Sequence, residues 1–198
     1  MLVKRIFDLT FTLLGLLVLS PIFLIIAVLI KRDSKGPVLF KQERVGLYSK
    51  PFKVLKFRTM VVDAENKGAK ITTGGDPRIT PLGQWLRKYK LDELTQLINV
   101  LKGEMSLVGP RPEVPEYVEF YTDKQKQTVL SVPPGITDIA SIEFRNENEL
   151  LAGSKDPVKE YKEKVLPIKL SYCEQYVQER SLWLDFTLIL KTIVAIIR

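Results

Sequence analysis

The chain has 198 residues, a net charge of +7, one cysteine and no histidine. Without histidine there is no Ser-His-Asp or Cys-His catalysis and no His-ligated zinc. The lone Cys173 excludes an intrachain disulfide and suits a reducing compartment. Acid-base or metal chemistry is left to carboxylates, Lys, Tyr and Arg.

The charge is uneven. Residues 1–60 carry eleven Lys or Arg against three acids, whereas the other 138 residues hold 19 basic and 20 acidic side chains. A basic surplus beside an apolar run suits anionic lipid headgroups and phosphates rather than nucleic acid.

That apolar run, Ile6–Ile30, is the first element. Its 25 residues would make a straight helix of about 37 Å, enough for a bilayer core of about 30 Å. Lys4 and Arg5 precede it and Lys31, Arg32 and Lys35 follow, so both flanks favour the cytoplasmic side. Pro21 removes a backbone donor and pushes Ser20 out of the helical region. A helix broken at Ser20-Pro21 that returns to the face it entered satisfies both flanks. A spanning anchor also tolerates proline, and the residues alone leave the two open. The length of the run and the Lys31-Arg32-Asp33 context argue against a signal peptide.

Pro37–Phe40 and Phe52–Phe57 predict a β-hairpin around Gly46–Lys50, leading into Lys56-Phe57-Arg58-Thr59-Met60. On its own that pentapeptide reads equally well as an amphipathic strand end. Residues 60–70, with Asp63, Glu65 and Lys67, predict a solvated helix or loop, and Gly74–Arg78 a turn. Thr80-Pro81 then starts a helix expected to run to Lys102 and stop at Gly103. Its apolar stripe is Leu91, Leu94, Ile98 and Leu101; Lys88, Tyr89, Asp92, Thr95 and Gln96 lie opposite. Asp92 and Glu93, about 100° apart on such a helix, would by themselves read as a solvated face.

Gly109-Pro110-Arg111-Pro112 cannot be helical and predicts a rigid loop presenting one guanidinium, which suits bidentate phosphate binding as well as a plain connector. Residues 115–131 predict helix, Pro133–Thr137 a turn, Ile139–Phe144 a short strand ending at Arg145-Asn146, and 157–180 a charged helix. Trp183–Arg198 is too short to span with Lys191 inside it. It predicts an interfacial amphipathic helix, with a core helix as the alternative.

Leu91–Leu97 followed by Ser106–Glu113 closely resembles the bacterial sugar transferase family, the monotopic phosphoglycosyl transferases. Ser20-Pro21, Lys56–Met60, Asp76–Thr80 and Pro134–Thr137 match in the family's order, so the resemblance covers about residues 1–146. Its short length is like that of the family's minimal members. The resemblance implies an α+β, mainly helical fold in one domain over residues 1–198. Residues 1–32 would be a re-entrant membrane helix, 33–181 a cytosolic catalytic part with the hairpin, and 182–198 an amphipathic interfacial helix. It implies transfer of a sugar 1-phosphate from a UDP-sugar to polyprenyl (undecaprenyl) phosphate, on the cytoplasmic face of a bacterial inner membrane, releasing UMP. Asp92 would be the nucleophile of an aspartyl phospho-sugar intermediate, with Glu93 assisting and both carboxylates holding Mg²⁺. Lys56, Arg58, Arg78, Arg111 and Arg145 would meet phosphate charge. UDP-sugar, polyprenyl phosphate and anionic lipids are the partners implied; a homodimer is compatible with it, and nucleic acid is not expected.

Many relatives have Gly after Pro-Gly-Ile-Thr, a Gln further on and Asn-Gly before the Arg-Asn pair. This chain has Asp138, Ser141, Glu143 and Phe144 over that stretch, which bears on the donor and leaves the dyad intact. A non-catalytic membrane scaffold for glycan assembly would tolerate loss of the dyad, and a membrane kinase lacks its Walker-type loop here.

Overall fold

The computed structural model describes residues 2–64, 76–145 and 156–197. The expectations that fell on Glu65, Lys67, Gly74, Gly75, Asn146 and Arg198 lie outside them. The described residues are mainly helical with two small sheets.

Helix α1, Leu2–Asp33, is continuous, and this corrects the expected break. Pro21 cannot give the carbonyl of Leu17 its helical N–H. The Ser20 hydroxyl donates to that carbonyl instead, at 2.9 Å, so the pair removes one donor and supplies another. Ser20 and Pro21 both face outward. The inward face is one stripe: Asp8, Thr12, Ile26 and Ile30 are buried, and Leu16, Leu19 and Phe23 half-buried between them. The remaining faces expose leucine, isoleucine and valine. Among the described residues α1 is the one helix long and apolar enough to cross a membrane.

Both ends of α1 are fixed to the same body. At the start, Arg5 donates to the carbonyls of Val100 (2.7 Å) and Leu101 (3.1 Å). Lys4 lies 2.8 Å from Asp8 and 2.9 Å from Asp185. Asp8 also accepts from the Ser106 hydroxyl at 2.8 Å. At the other end, Arg58 donates to the Ser34 carbonyl at 2.6 Å, and Phe23 meets Phe57 edge to face.

Strands β1 (Leu39–Val45) and β2 (Pro51–Phe57) form the expected antiparallel hairpin. The single helix expected over 81–102 is instead three pieces. Helix α2 (Pro81–Lys88), capped by Thr80, ends before Lys90, which takes a left-handed turn at φ 54°. A 3-10 turn, Leu91–Thr95, follows, then α3 (Gln96–Lys102), stopped at Gly103 as expected. Burial is also reversed from Asp92 onward, although Lys88 and Tyr89 are exposed as expected. Asp92, Thr95, Gln96 and Asn99 are buried, whereas Leu91, Leu94, Ile98 and Leu101 are only half-buried. Hydrogen bonding to the hairpin decided the orientation, not apolar periodicity.

Strand β3 (Ser106–Val108) pairs in parallel with β4 (Gly135–Thr137), where a turn was expected. Residues 115–131 form two short helices, α4 (Pro115–Val118) and α5 (Asp123–Val129), the second begun by a Thr122–Gln125 capping box. Ile139–Phe144 is not a strand: Asp138 caps the Ser141 N–H at 2.6 Å and starts α6 (Ile139–Glu143). Helices α7 (Pro157–Glu160) and α8 (Leu166–Glu179) are joined by a π-type turn, Tyr161–Val165. Helix α9, Leu182–Ile197, docks through Asp185, Leu188 and Thr192 and turns Trp183, Phe186, Leu190, Ile193 and Val194 outward. Its outer face, like that of α1, is apolar.

Candidate active site

Among the described residues the free edge of β2 meets no third strand, and side chains take that place. Asn99 accepts from Leu55 N–H at 3.0 Å and donates to the Lys53 carbonyl at 2.8 Å; Thr95 donates to the Leu55 carbonyl at 2.9 Å. Each would otherwise be an unmet backbone group in a buried place. These bonds fix the 3-10 turn against the hairpin, and the turn carries Asp92 and Glu93.

The two carboxylates have different surroundings. Glu93 takes Lys56 Nζ at 2.9 Å on Oε1 and Arg111 Nη1 at 2.9 Å on Oε2, with Arg111 Nη2 closing on Oε1 as well. Burial would raise its pKa, but Arg111 and Lys56 outweigh that and hold Glu93 well below the usual carboxylate range. Asp92 is 6% exposed, and among the described residues its carboxylate makes no hydrogen bond or ion pair. Burial first, then the Glu93 charge, push it up to about 6, against Lys56, Arg87 and Lys90. One acid of the dyad is clamped; the other is held in place without a partner.

Arg87 was not foreseen. It reaches this site because Gly83, one turn earlier, lies so close to Thr59 that a Cβ there would sit 2.0 Å from the Thr59 carbonyl oxygen. With α2 that close, Arg87 Nε donates to the Thr59 hydroxyl at 2.8 Å, and its charge acts on Asp92. Arg-x-x-x-x-Asp spacing on an expected single helix would have put Arg87 and Asp92 on different faces, so the missing signal was the left-handed turn at Lys90.

The Arg111 loop is held at five consecutive residues. Gly109 N–H donates to the Thr137 carbonyl (3.0 Å), and the Pro110 carbonyl accepts from Gly135 N–H (3.0 Å). Arg111 N–H donates to Asp138 Oδ2 (3.1 Å), the Pro112 carbonyl accepts from Arg44 Nη1 (3.0 Å), and the Glu113 carbonyl accepts from Val45 N–H (2.9 Å). Behind the loop the Glu113 side chain meets Tyr161 OH, Arg44 at 3.6 Å and Lys169 at 3.7 Å. Arg111 therefore faces the dyad and Glu113 faces away from it. The second acid was invisible in sequence because its partners are distant in the chain.

The other expected cations sit elsewhere. Arg58 is buried at the end of α1, donating to Ser34. Arg78 binds Asp76 through Nε and Nη2 within its own turn and reaches the Ala64 carbonyl at 3.0 Å. Arg145, half-buried just after α6, has no ion pair with a described residue. Lys56 and Arg111 are thus brought to the dyad; Arg58 binds Ser34 through Nη2, its buried Nε and Nη1 making no hydrogen bond among the described residues, and Arg78 binds Asp76.

No group of three or more carboxylate, Cys or His ligands exists among the described residues. The donor set still fits Mg²⁺ of the kind held by one or two carboxylates and substrate phosphates. Asp92 has oxygens to offer, whereas both Glu93 oxygens are already occupied by cations.

A buried carboxylate near Lys56, Arg87 and Lys90, beside a second one clamped by Lys56 and Arg111, on a body that carries two outward apolar helices, defines a membrane-associated protein with a site suited to phosphorylated ligands. The model of the bacterial sugar transferase family matches residues 1–198, and the chain belongs to that family. It is 41% identical over 204 residues to an undecaprenyl-phosphate glucose phosphotransferase of Komagataeibacter xylinus, covering 98% of this chain and 35% of that protein. It is 37% identical over 194 residues to the UDP-N-acetylgalactosamine-undecaprenyl-phosphate N-acetylgalactosaminephosphotransferase of Aeromonas hydrophila, covering 96% and 43%. With the exopolysaccharide production protein ExoY of Sinorhizobium fredii, identity is 34% over 208 residues, covering 98% and 84%. The chain thus spans less than half of the first two relatives and most of the third.

Proposed function

We propose that the protein transfers a sugar 1-phosphate from a UDP-sugar to polyprenyl phosphate, releasing UMP, as an early membrane step of surface polysaccharide or glycoconjugate assembly. The observation that carries this is the contrast within the dyad: Glu93 is clamped by Lys56 and Arg111, while Asp92 beside it is buried and uncommitted. The relatives' names supply the substrate class, and they differ in sugar at similar identity.

In this reading Asp92 attacks the β-phosphorus of the donor. An Oδ–P bond forms, the P–O bond to the departing UMP breaks, and an aspartyl phospho-sugar remains. An oxygen of the acceptor phosphate then attacks the same phosphorus and restores the Asp92 carboxylate. Lys56, Arg87 and Arg111 line the space where phosphoryl charge would lie, and Arg145 is the further candidate for the nucleotide's phosphate. Bound Mg²⁺ would neutralise diphosphate charge, held by Asp92 and, once released from its cations, Glu93. Arg58 and Arg78 serve the architecture that presents these groups.

The helix contacts favour a monotopic arrangement. A spanning α1 would carry Lys4 and Arg5 to the far side of the bilayer, away from the Asp185, Val100 and Leu101 that they bind. Docking at both ends, with Leu17, Val18, Leu24 and Ile25 exposed between them, suits an unbroken helix whose outward face lies in one leaflet while both termini stay with the body. The catalytic part would then lie on the cytoplasmic face of the inner membrane, where UDP-sugars are, with α9 in the interface.

The test is UMP release in detergent from a panel of UDP-sugars with polyprenyl phosphate and Mg²⁺, on wild type and Asp92→Asn. Wild type should turn over one donor and trap its labelled sugar phosphate, and Asp92→Asn should do neither. Near-full turnover by Asp92→Asn would refute the covalent mechanism, and a wild type inert with every donor would favour a scaffold.

A further inference from the structure

Arg111 stands between two prolines. Neither Pro110 nor Pro112 has an N–H, so the Arg111 N–H is the sole backbone donor of residues 110–112. Asp138 takes it, at 3.1 Å on Oδ2. Asp138 is 1% exposed, and its other oxygen, Oδ1, accepts the Ser141 N–H that starts α6. The Cys173 thiol of α8 lies 3.6 Å from Oδ2. Burial and then the neighbouring Asp138 raise Cys173 well above its ordinary value, which keeps it a thiol able to donate.

Every polar contact of this side chain therefore uses an oxygen as acceptor, and the two oxygens serve different elements. One holds the loop that aims Arg111 at Glu93, and the other holds the short helix that leads to Arg145. A carboxylate can do both, because both of its oxygens accept. An asparagine can do only one, since its second atom is a donor and would face an N–H. A serine caps helices but is too short to hold both.

We propose that Asp138 is a positioning residue for donor binding: its buried carboxylate couples the Arg111 loop to the first turn of α6, setting the placement of Arg111 relative to Arg145. It touches no substrate and acts through the two arginines. The proposal rests on the reading of those arginines as phosphate-binding groups.

The experiment uses the full chain with Asp138→Asn and Asp138→Ser. Hydrogen exchange is followed on a peptide covering residues 109–112, whose only backbone amides are those of Gly109 and Arg111. In both variants the Arg111 amide should exchange roughly ten-fold faster or more, while the Ser141 amide stays protected by the retained cap. The KM for the UDP-sugar should rise roughly ten-fold, with a smaller change in kcat and in the KM for polyprenyl phosphate. Unchanged exchange at Arg111 would overturn the coupling. Faster exchange with an unchanged donor KM, or a fall in melting temperature and active fraction alone, would overturn the positioning role. A wild type that turns over no UDP-sugar would instead refute the proposed function, and the exchange measurement would still decide the coupling. Should Asp138→Asn fail to fold, Asp138→Ser carries the same two readouts.

Discussion

Lys4 Nζ, in the first turn of α1, lies 2.9 Å from Asp185 Oδ2 in the last helix, with Asp8 at 2.8 Å on its other side. Both acids are almost fully buried, and Tyr176 OH adds a 2.8 Å bond to Asp185. The basic residue expected to face lipid headgroups is thus the shared counter-ion of two buried carboxylates.

Lys4→Met should therefore be costly. Removing one partner of a buried ion pair leaves an uncompensated charge and costs about 3 kcal/mol. In a domain of this size that is a fall of roughly 5–10 °C in melting temperature. Thermal unfolding in detergent measures it; an unchanged midpoint would mean that the pair is solvated.

Topology can be read with a single thiol. Val3 is exposed, and the native Cys173 is buried and poorly reactive, so Val3→Cys adds the one accessible cysteine among the described residues. A membrane-impermeant maleimide should label it from the cytoplasmic side only. Labelling of intact cells from the periplasmic side would show that α1 crosses the membrane.

Asn99→Leu should lower both stability and turnover. The side chain is fully buried and satisfies two groups on the edge of β2, so an isosteric apolar replacement strands them at a cost of about 2–4 kcal/mol. Because Asn99 and Thr95 seat the dyad's turn, kcat should fall further than the loss of folded protein explains. Equal losses in kcat and folded fraction would assign Asn99 to stability alone.

Acid should weaken the network behind Arg111. Burial acts to raise the Glu113 carboxyl, but Lys169, Arg44 and the Tyr161 hydroxyl prevail and hold it below its ordinary value. A depressed pKa means the folded state binds fewer protons there. The added stability is complete above the unfolded value of about 4.3 and is lost as pH falls through the folded value. Wild type should exceed Glu113→Gln in urea midpoint at pH 7, with the gap closing below about pH 4. A gap independent of pH would indicate packing rather than charge.

The hairpin, the caps at Thr80 and Gly103 and the non-helical Gly-Pro-Arg-Pro loop were legible because local chemistry sets them. What could not be read is the inversion around Asp92. A helical wheel ranks faces by polarity and places Asp92, Thr95 and Gln96 outside. The fold buries them because the edge of β2 requires hydrogen-bonding partners, a condition set some forty residues earlier in the chain. The apolar outer faces follow the same logic, since a membrane rewards there what water would penalise. Asp8 was the visible clue within the apolar run: an acid in such a helix demands a partner, and its partners are at 4, 106 and 107.

The stripe on α1 also has a temporal side. A chain leaves the ribosome in order, so this helix is made before the hairpin, before Val100 and Ser106, and long before Asp185. Its outward surface can meet lipid at once, whereas its inward one must wait for most of the protein. During that interval Asp8 has only Lys4, four residues away, to neutralise it. The intrahelical pair is then an early companion that keeps the first turn tolerable at the membrane until the last helix arrives and takes hold of the same ammonium.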